Sequence, residues 1–270
     1  MTLPRNKEKQ FCIITPTEYL KQYASQSSMH LVLAHLVDTD KEYADFYAER
    51  DEFKIMDNGA FELGESYAPE KLIDLARRCK AQAIVLPDYP GQPATKTIEA
   101  AMELGSKVRD AGFYTFFAPQ SLVGDTEGWI EAYKWGAEND LIDIIGMSIL
   151  AIPNAMPWIP KAYARVVMTQ VLIDRGVFNF NKYHHYLGLN SGPNLEIPPL
   201  AKMDALDSCD SSNPVWMGIL GHMYSTNTDS FLCVSKVKNE VQFDYPMTKD
   251  VQTHSNIQTN INLTLSLFHK

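Results

Sequence analysis

Paired cysteines are missing from this chain. Cys12, Cys79, Cys209 and Cys233 stand far apart, with no CxxC or CxC spacing among them. That excludes a disulfide framework and a zinc site built on paired thiolates, and it fits reduced thiols. Basic charge is scarce too. Lys and Arg total 24 against 33 acids, for a formal net charge of -9, so a broad basic face is excluded and any nucleic-acid contact must come from a local patch. No apolar run approaches bilayer length, and Met1-Thr2-Leu3-Pro4-Arg5-Asn6-Lys7-Glu8-Lys9 leads into no signal-peptide core; the expected location is the cytoplasm. GxGxxG and GxxxxGK[ST] are absent after the early strands, which removes the main support for dinucleotide and P-loop chemistry. No repeat, low-complexity tract or Pro/Ser-rich linker divides the chain.

What is present is an alternation. In 270 residues of 45% hydrophobic composition, short apolar runs alternate with longer amphipathic stretches, the pattern of repeated βα units around a parallel sheet. The strands are predicted at 30–36, 53–57, 83–87, 113–117, 142–146, 185–189, a short 203–207, and 230–234. Helices are predicted at 69–80, 93–111 and 126–139, where Pro69, Pro93 with Thr95, and Asp125 give start signals and Gly112 and Gly176 suit exits. Eight strands with helical crossovers fit a single-domain α/β fold over 1–270, a (β/α)8 barrel, better than an open doubly wound sheet. Residues 221–256 are the least regular. A C-terminal helix at about 257–269 places Ile257, Ile261, Leu265 and Phe268 at helical spacing, suited to covering the closing seam.

Polar residues cluster just past the strand runs: Asp57, Asp88, Gln120, Ser148 and Asn190. In a barrel those ends share the face that carries chemistry. Any one such acid reads equally well as a helix N-cap. Against that, Asp57 is followed by Asn58-Gly59-Ala60-Phe61, where small residues admit a planar ligand and Phe61 can stack on it. Asp88 precedes the turn Tyr89-Pro90-Gly91, and Asp207 and Asp210 flank Ser208-Cys209. Adjacent His184 and His185 on a strand face opposite ways. Trp129, Tyr133 and Trp135 on one helical stretch read as packing, and Arg77-Arg78 with Lys80, like Lys236 with Lys238, read as solvated faces.

The ordered set of strand-end residues resembles the tRNA-guanine transglycosylases, barrel enzymes that exchange guanine for a 7-deazaguanine. "DNGAFE" at 57–62 is similar to D-S-G-[GA]-[FY]-Q, departing at Asn58 and Glu62, and "ALDSCDS" at 205–211 aligns without gaps with G-[IV]-D-x-F-D-[CS]. The resemblance implies Asp210 as nucleophile and Asp57 as proton shuttle. Asp88 in "VLPDYP" takes the place of the acid that reads the base edge, with Asn58 beside it. Gln120 in "FFAPQS" and Gly146 in "IIGMSI" take the O6 side, and "HHYLGLN" at 184–190 makes Leu187 an apolar lid opposite Phe61. The match covers residues about 53 to 215. The family's C-x-C-x2-C…H zinc site has no counterpart, since only Cys233 and scattered His222, His254 and His269 follow Asp210. No metal and no cofactor is expected. The compact length resembles the phage-type DNA members, which implies guanine-containing DNA and a free 7-deazaguanine base such as preQ0 as partners, in an infected bacterial cell; a homodimer is allowed. The alternatives are tRNA as polymer, a nucleoside or nucleotide N-glycosidase on the same barrel, and a binding module that kept the pocket without turnover.

Overall fold

The computed structural model describes residues 3–4, 9–189, 192–226 and 241–268. Eight strands form one parallel sheet: β1 (Gln10–Ile13), β2 (Met29–Val32), β3 (Phe53–Met56), β4 (Ala83–Val85), β5 (Tyr114–Phe117), β6 (Ile144–Gly146), β7 (Tyr183–Tyr186) and β8 (Ser208–Ser211). The ladder runs β1-β8-β7-β6-β5-β4-β3-β2. Its two end strands lie side by side, with the Cys12 thiol reaching the Leu31 backbone and the Ile13 N–H donating to Ser27 Oγ at 2.9 Å. The result is a nearly closed (β/α)8 barrel, as the alternating pattern predicts.

Helices cover the outside: α1 (Ala34–Thr39) and α2 (Lys41–Ala48) after β2, α3 (Ala60–Leu63) and α4 (Pro69–Arg78) after β3, α5 (Ala94–Asp110) after β4, α6 (Thr126–Glu138) after β5, α7 (Ala151–Ala155) and α8 (Lys161–Asp174) after β6, α9 (Pro193–Lys202) after β7, and α10 (Asn213–Ile219) with α11 (Val251–Leu265) after β8. The start signals act as expected. Pro69 opens α4, and the Asp125 side chain caps α6 through the Gly128 N–H at 2.9 Å. Residues one apart on a strand face opposite sides: Phe117 packs on Trp135 of α6, while Phe116 points inward against His185. Trp129 and Tyr133 are fully buried beneath α6, as packing predicts. Among the described residues no helix is long and apolar enough to cross a membrane.

One strand expectation is corrected, one strand was not foreseen, and one expectation lies outside the described residues. The run 203–207 is not a strand: α9 continues to Lys202, and Asp204 adopts a left-handed φ of 54° that breaks any extended run. The strand lies just beyond it, at Ser208–Ser211. Its sequence SCDS carries no apolar alternation, because its inward face is polar. The opening strand Gln10–Ile13 is unpredicted, four residues behind a charged leader. The run 230–234 lies outside the described residues, as do Lys236, Lys238 and Asn190. The irregular stretch also ends sooner than expected, since α11 begins at Val251, where Asp250 accepts from the Thr253 N–H at 2.8 Å. Ile257 and Ile261 are buried and Phe268 stacks on Phe11 of β1 at 5.7 Å, so the C-terminal segment packs against the strand at the seam.

Candidate active site

Asp57 follows β3 directly, and its own N–H extends the ladder to Val32 O at 2.8 Å. Gly59, at φ 79°, turns the chain back so that its N–H donates to Asp57 Oδ2 at 2.9 Å, the local turn that Asp-x-Gly favours. Burial pushes the Asp57 carboxyl up from the ordinary range to about 6. The negative charges of Asp88 and Asp210 add to the rise, while the amides of Gly59 and Asn58 oppose it. Such a group exchanges a proton near neutrality. Because Asp57 responds to both other carboxylates, the three acids converge at one end of the barrel, as their strand-end positions predict.

Asp88, just past β4, has its two oxygens held separately. Asn58 Nδ2 donates to Oδ1 at 2.8 Å and Gln120 Nε2 to Oδ2 at 2.6 Å. Burial raises this carboxyl as well, and the two amide donors oppose the rise. Both Asn58 Nδ2 donors are in use, the second reaching Leu86 O at 3.0 Å, and Oδ1 accepts from the Ala60 N–H at 2.9 Å. Asn58 thus orients Asp88 and keeps one lone pair of Oδ1 beyond these contacts. Gln120 is 3% exposed and its Oε1 is buried without a hydrogen-bond partner. A buried unpaired acceptor costs about 1–3 kcal/mol, and here it sits beside the Asp88 carboxylate, where a ligand donor would satisfy it.

Asp210 lies within β8 rather than after a strand, and is 5% exposed. Its Oδ1 accepts from the Gly188 N–H at 2.9 Å and lies 3.0 Å from His185 Nε2, whose Nδ1 is 2.7 Å from Ser208 Oγ. With the carboxylate ionised, Nε2 carries the proton; in the neutral imidazole Nδ1 then accepts from the Ser208 hydroxyl. Both bonds fall on one oxygen. Among the described residues no donor reaches Oδ2, which stays open.

Gly146 ends β6, and a Cβ there would meet Phe116 Cε2 at 2.4 Å and Leu187 Cδ1 at 3.0 Å. Packing alone thus requires glycine at this position. Leu187 is half-buried beside it. Phe61 belongs by its backbone to α3; its side chain, and the stacking expected of it, lie outside the described residues. Ser148 is used for capping, its Oγ accepting from the N–H groups of Leu150 and Ala151 at 3.1 and 3.2 Å. His184 faces away from the site, stacked on Phe178 at 4.3 Å with Nε2 2.9 Å from Tyr133 Oη.

Two groups escaped the sequence. The sequence placed His184 and His185 on opposite faces without saying which one meets the site; His185, buried on the inward face of β7, is the one that orients Asp210. Arg165 and Glu196, on α8 and α9, are both fully buried and joined at 2.6 Å through two parallel contacts. A lone Arg within the apolar stretch Ala164-Arg165-Val166-Val167-Met168 was the only hint.

Among the described residues, Arg77, Arg78, Lys80 and Arg109 do not gather here. Lys80 and Arg109 line a concavity at the opposite end of the barrel, Arg77 lies 3.7 Å from Asp74 and Arg78 donates to Val37 O. The mouth therefore holds one raised carboxyl suited to proton transfer, one carboxylate held between amides, and one carboxylate with an open oxygen. No protein-family model and no curated protein matches the chain, so what it does has to be argued from these groups.

Proposed function

We propose that the chain is a base-exchange glycosyltransferase that replaces guanine in DNA with a free 7-deazaguanine of the preQ0 type. The observation that carries this is the division of labour among Asp57, Asp88 and Asp210, three carboxyls at one barrel end whose hydrogen bonds leave each suited to a different task.

Breaking an N-glycosidic bond at C1′ passes through an oxocarbenium-like transition state that a carboxylate on the far face can trap. Asp210 Oδ2 takes that part: it bonds to C1′ as the C1′–N9 bond breaks, and the departing guanine receives a proton from Asp57. The incoming 7-deazaguanine gives its N9 proton to the Asp57 carboxylate, and its nitrogen displaces Asp210 from C1′. Protons and bonds balance over the cycle, and Asp57 returns to its starting state. Asp88 accepts the N1–H and exocyclic amine of the base on the lone pairs left by Asn58 and Gln120. A guanine inside a duplex has to be flipped out before Asp210 can reach C1′. DNA is named as the polymer on the resemblance to the phage-type members, and the tRNA arm of the test decides between the two.

The test uses labelled 7-deazaguanine with duplex DNA, and tRNA in parallel, followed by digestion to nucleosides. Label in deoxynucleosides and a covalent protein–DNA adduct that Asp210→Asn abolishes are the expected results. Label in tRNA alone would move the polymer. Free sugar or abasic sites without label would make the chain a glycosidase, with water in the place of the incoming base. Base binding that survives Asp210→Ala, with no turnover by the wild type, would make it a binding module.

A further inference from the structure

Arg165 has all five of its N–H groups engaged inside the protein. Nε donates to Glu196 Oε1 at 2.6 Å and Nη2 to Glu196 Oε2 at 2.6 Å. The remaining donors reach three backbone carbonyls: Nη1 to Met147 O and Leu187 O, both at 2.9 Å, and Nη2 to Gly188 O at 2.7 Å. Tyr186 lies beneath the guanidinium, its ring centroid 5.5 Å from Cζ.

A buried ion pair adds little net stability over apolar residues of the same size, because desolvating two charges offsets their attraction. What this one supplies is position. Met147 follows β6 immediately, and Leu187 and Gly188 follow β7, so one planar cation holds two strand-end loops at fixed spacing. Gly188 is the residue whose N–H donates to Asp210 Oδ1. It adopts φ 72°, and a Cβ there would meet Ile149 Cγ2 at 2.8 Å, so the turn is set on both sides.

We propose that the Arg165–Glu196 pair is a positioning device for Asp210: by holding the Gly188 carbonyl it fixes the neighbouring amide against Oδ1 and so sets the orientation of the carboxylate at the barrel mouth. A lysine at 165 could not span Glu196 and three carbonyls at once. The role of Oδ2 as the attacking atom rests on the transglycosylase reading; the link from Arg165 to the carboxylate does not.

Isotope-edited NMR tests the link without any activity. Asp carboxyl carbons, glycine amides and the arginine Nε–H are followed through a pH titration of wild type, Arg165→Lys and Glu196→Gln. In the wild type the Gly188 amide and the Arg165 Nε–H shift through the same pH window as the Asp210 carboxyl. In Arg165→Lys the Gly188 response falls to less than half and Asp210 binds its proton about tenfold more tightly, since a lost amide bond disfavours the ionised form. Glu196→Gln moves both in the same direction by less. The other titratable groups around Asp210 are His185 on β7, Cys12 on β1, Cys209 on β8 and Asp57 beyond β3; all are retained, so their contributions are common to every sample.

A folded Arg165→Lys protein whose Asp210 and Gly188 titrations superimpose on the wild type overturns the proposal. So does a wild type in which Arg165 Nε–H ignores the Asp210 titration, a readout that needs no variant to fold. If labelled base never enters DNA while these couplings hold, the transglycosylase reading fails and the positioning role stands.

Discussion

His185 Nε2 lies 3.0 Å from Asp210 Oδ1, and the same imidazole meets Ser208 Oγ through Nδ1 at 2.7 Å. The three side chains share the inward face of adjacent strands, with His185 in register with Ser208. The imidazole thus connects a buried hydroxyl at the start of β8 to the carboxylate near its end, and gives Asp210 a second donor beside Gly188. Replacing His185 with Phe removes one charge-assisted hydrogen bond, worth about 1.5–3 kcal/mol. The rate of covalent adduct formation with DNA should fall by about 10–100-fold, read on a time-resolved denaturing gel. Ser208→Ala leaves the imidazole able to donate to Asp210 and should cost less. Equal effects from the two would mean that the hydroxyl, not the imidazole, controls the carboxylate.

Asp57 carries a stability cost whose sign is fixed. Its carboxyl is raised in the folded protein to about 6 from an unfolded value near 3.9, so folding favours the protonated form. Below about pH 4 both states are protonated and nothing is lost; as pH rises through 6 the folded state must ionise a group it disfavours, and stability falls. Asp57→Asn keeps an oxygen for the Gly59 N–H and removes the charge. It should stabilise the protein at pH 7 by at most about 3 kcal/mol, with the gain disappearing toward pH 4 and base exchange lost throughout. Denaturant melts at pH 4, 5.5 and 7 measure this; a gain that does not depend on pH would show that the charge is not its source.

Asp88 stands between two amide donors, and that arrangement predicts its own mutant. In Asp88→Asn one donor from Asn58 or Gln120 faces an NH2 group, and a buried unsatisfied donor costs about 1–3 kcal/mol. The site also loses the acceptor pair matched to the N1–H and amine of guanine. Calorimetry with free 7-deazaguanine should show affinity at least about tenfold weaker, while Gln120→Met, which removes one donor and the unpaired Oε1, should weaken it less. Unchanged affinity in Asp88→Asn would place the base elsewhere.

The barrel was legible because β3 to β6 are mostly apolar runs separated by helices with ordinary caps, as a strand buried on both faces tends to be; β7, Tyr183–Tyr186 with two histidines, begins two residues before the run expected at 185–189. Where the chain departs from that rule the sequence misleads. Ser208–Ser211 is polar because its inward residues are Ser208, buried beneath His185, and Asp210 near the mouth, so the apolar stretch before it looked like the strand. Gln10–Ile13 is too short to show a period. Asp57 and Asp88 could be picked out by their places past strand ends and Asp210 only through the motif resemblance, since it lies within β8; their division of roles could not, since it depends on Asn58, Gln120, Gly188 and His185 reaching across. A buried Arg165 with Glu196 has no periodic signature at all.

Gly146 separates two explanations for one residue. The transglycosylase resemblance gives its amide a contact with the base, whereas the structure shows that any side chain there runs into the Phe116 ring at 2.4 Å. Phe116 fills the barrel beneath the site, edge-on to His185 with ring centroids 5.7 Å apart, so a methyl at 146 pushes on the ring that packs against the imidazole. Gly146→Ala should destabilise the protein by about 1–3 kcal/mol through overpacking and slow adduct formation as His185 shifts. Adding Phe116→Leu makes room for the methyl without touching the backbone amide. If packing is the reason for glycine, the double variant recovers both melting temperature and adduct rate; if stability returns but base affinity stays low, the added methyl is blocking the base itself, and Gly146 is part of the binding surface.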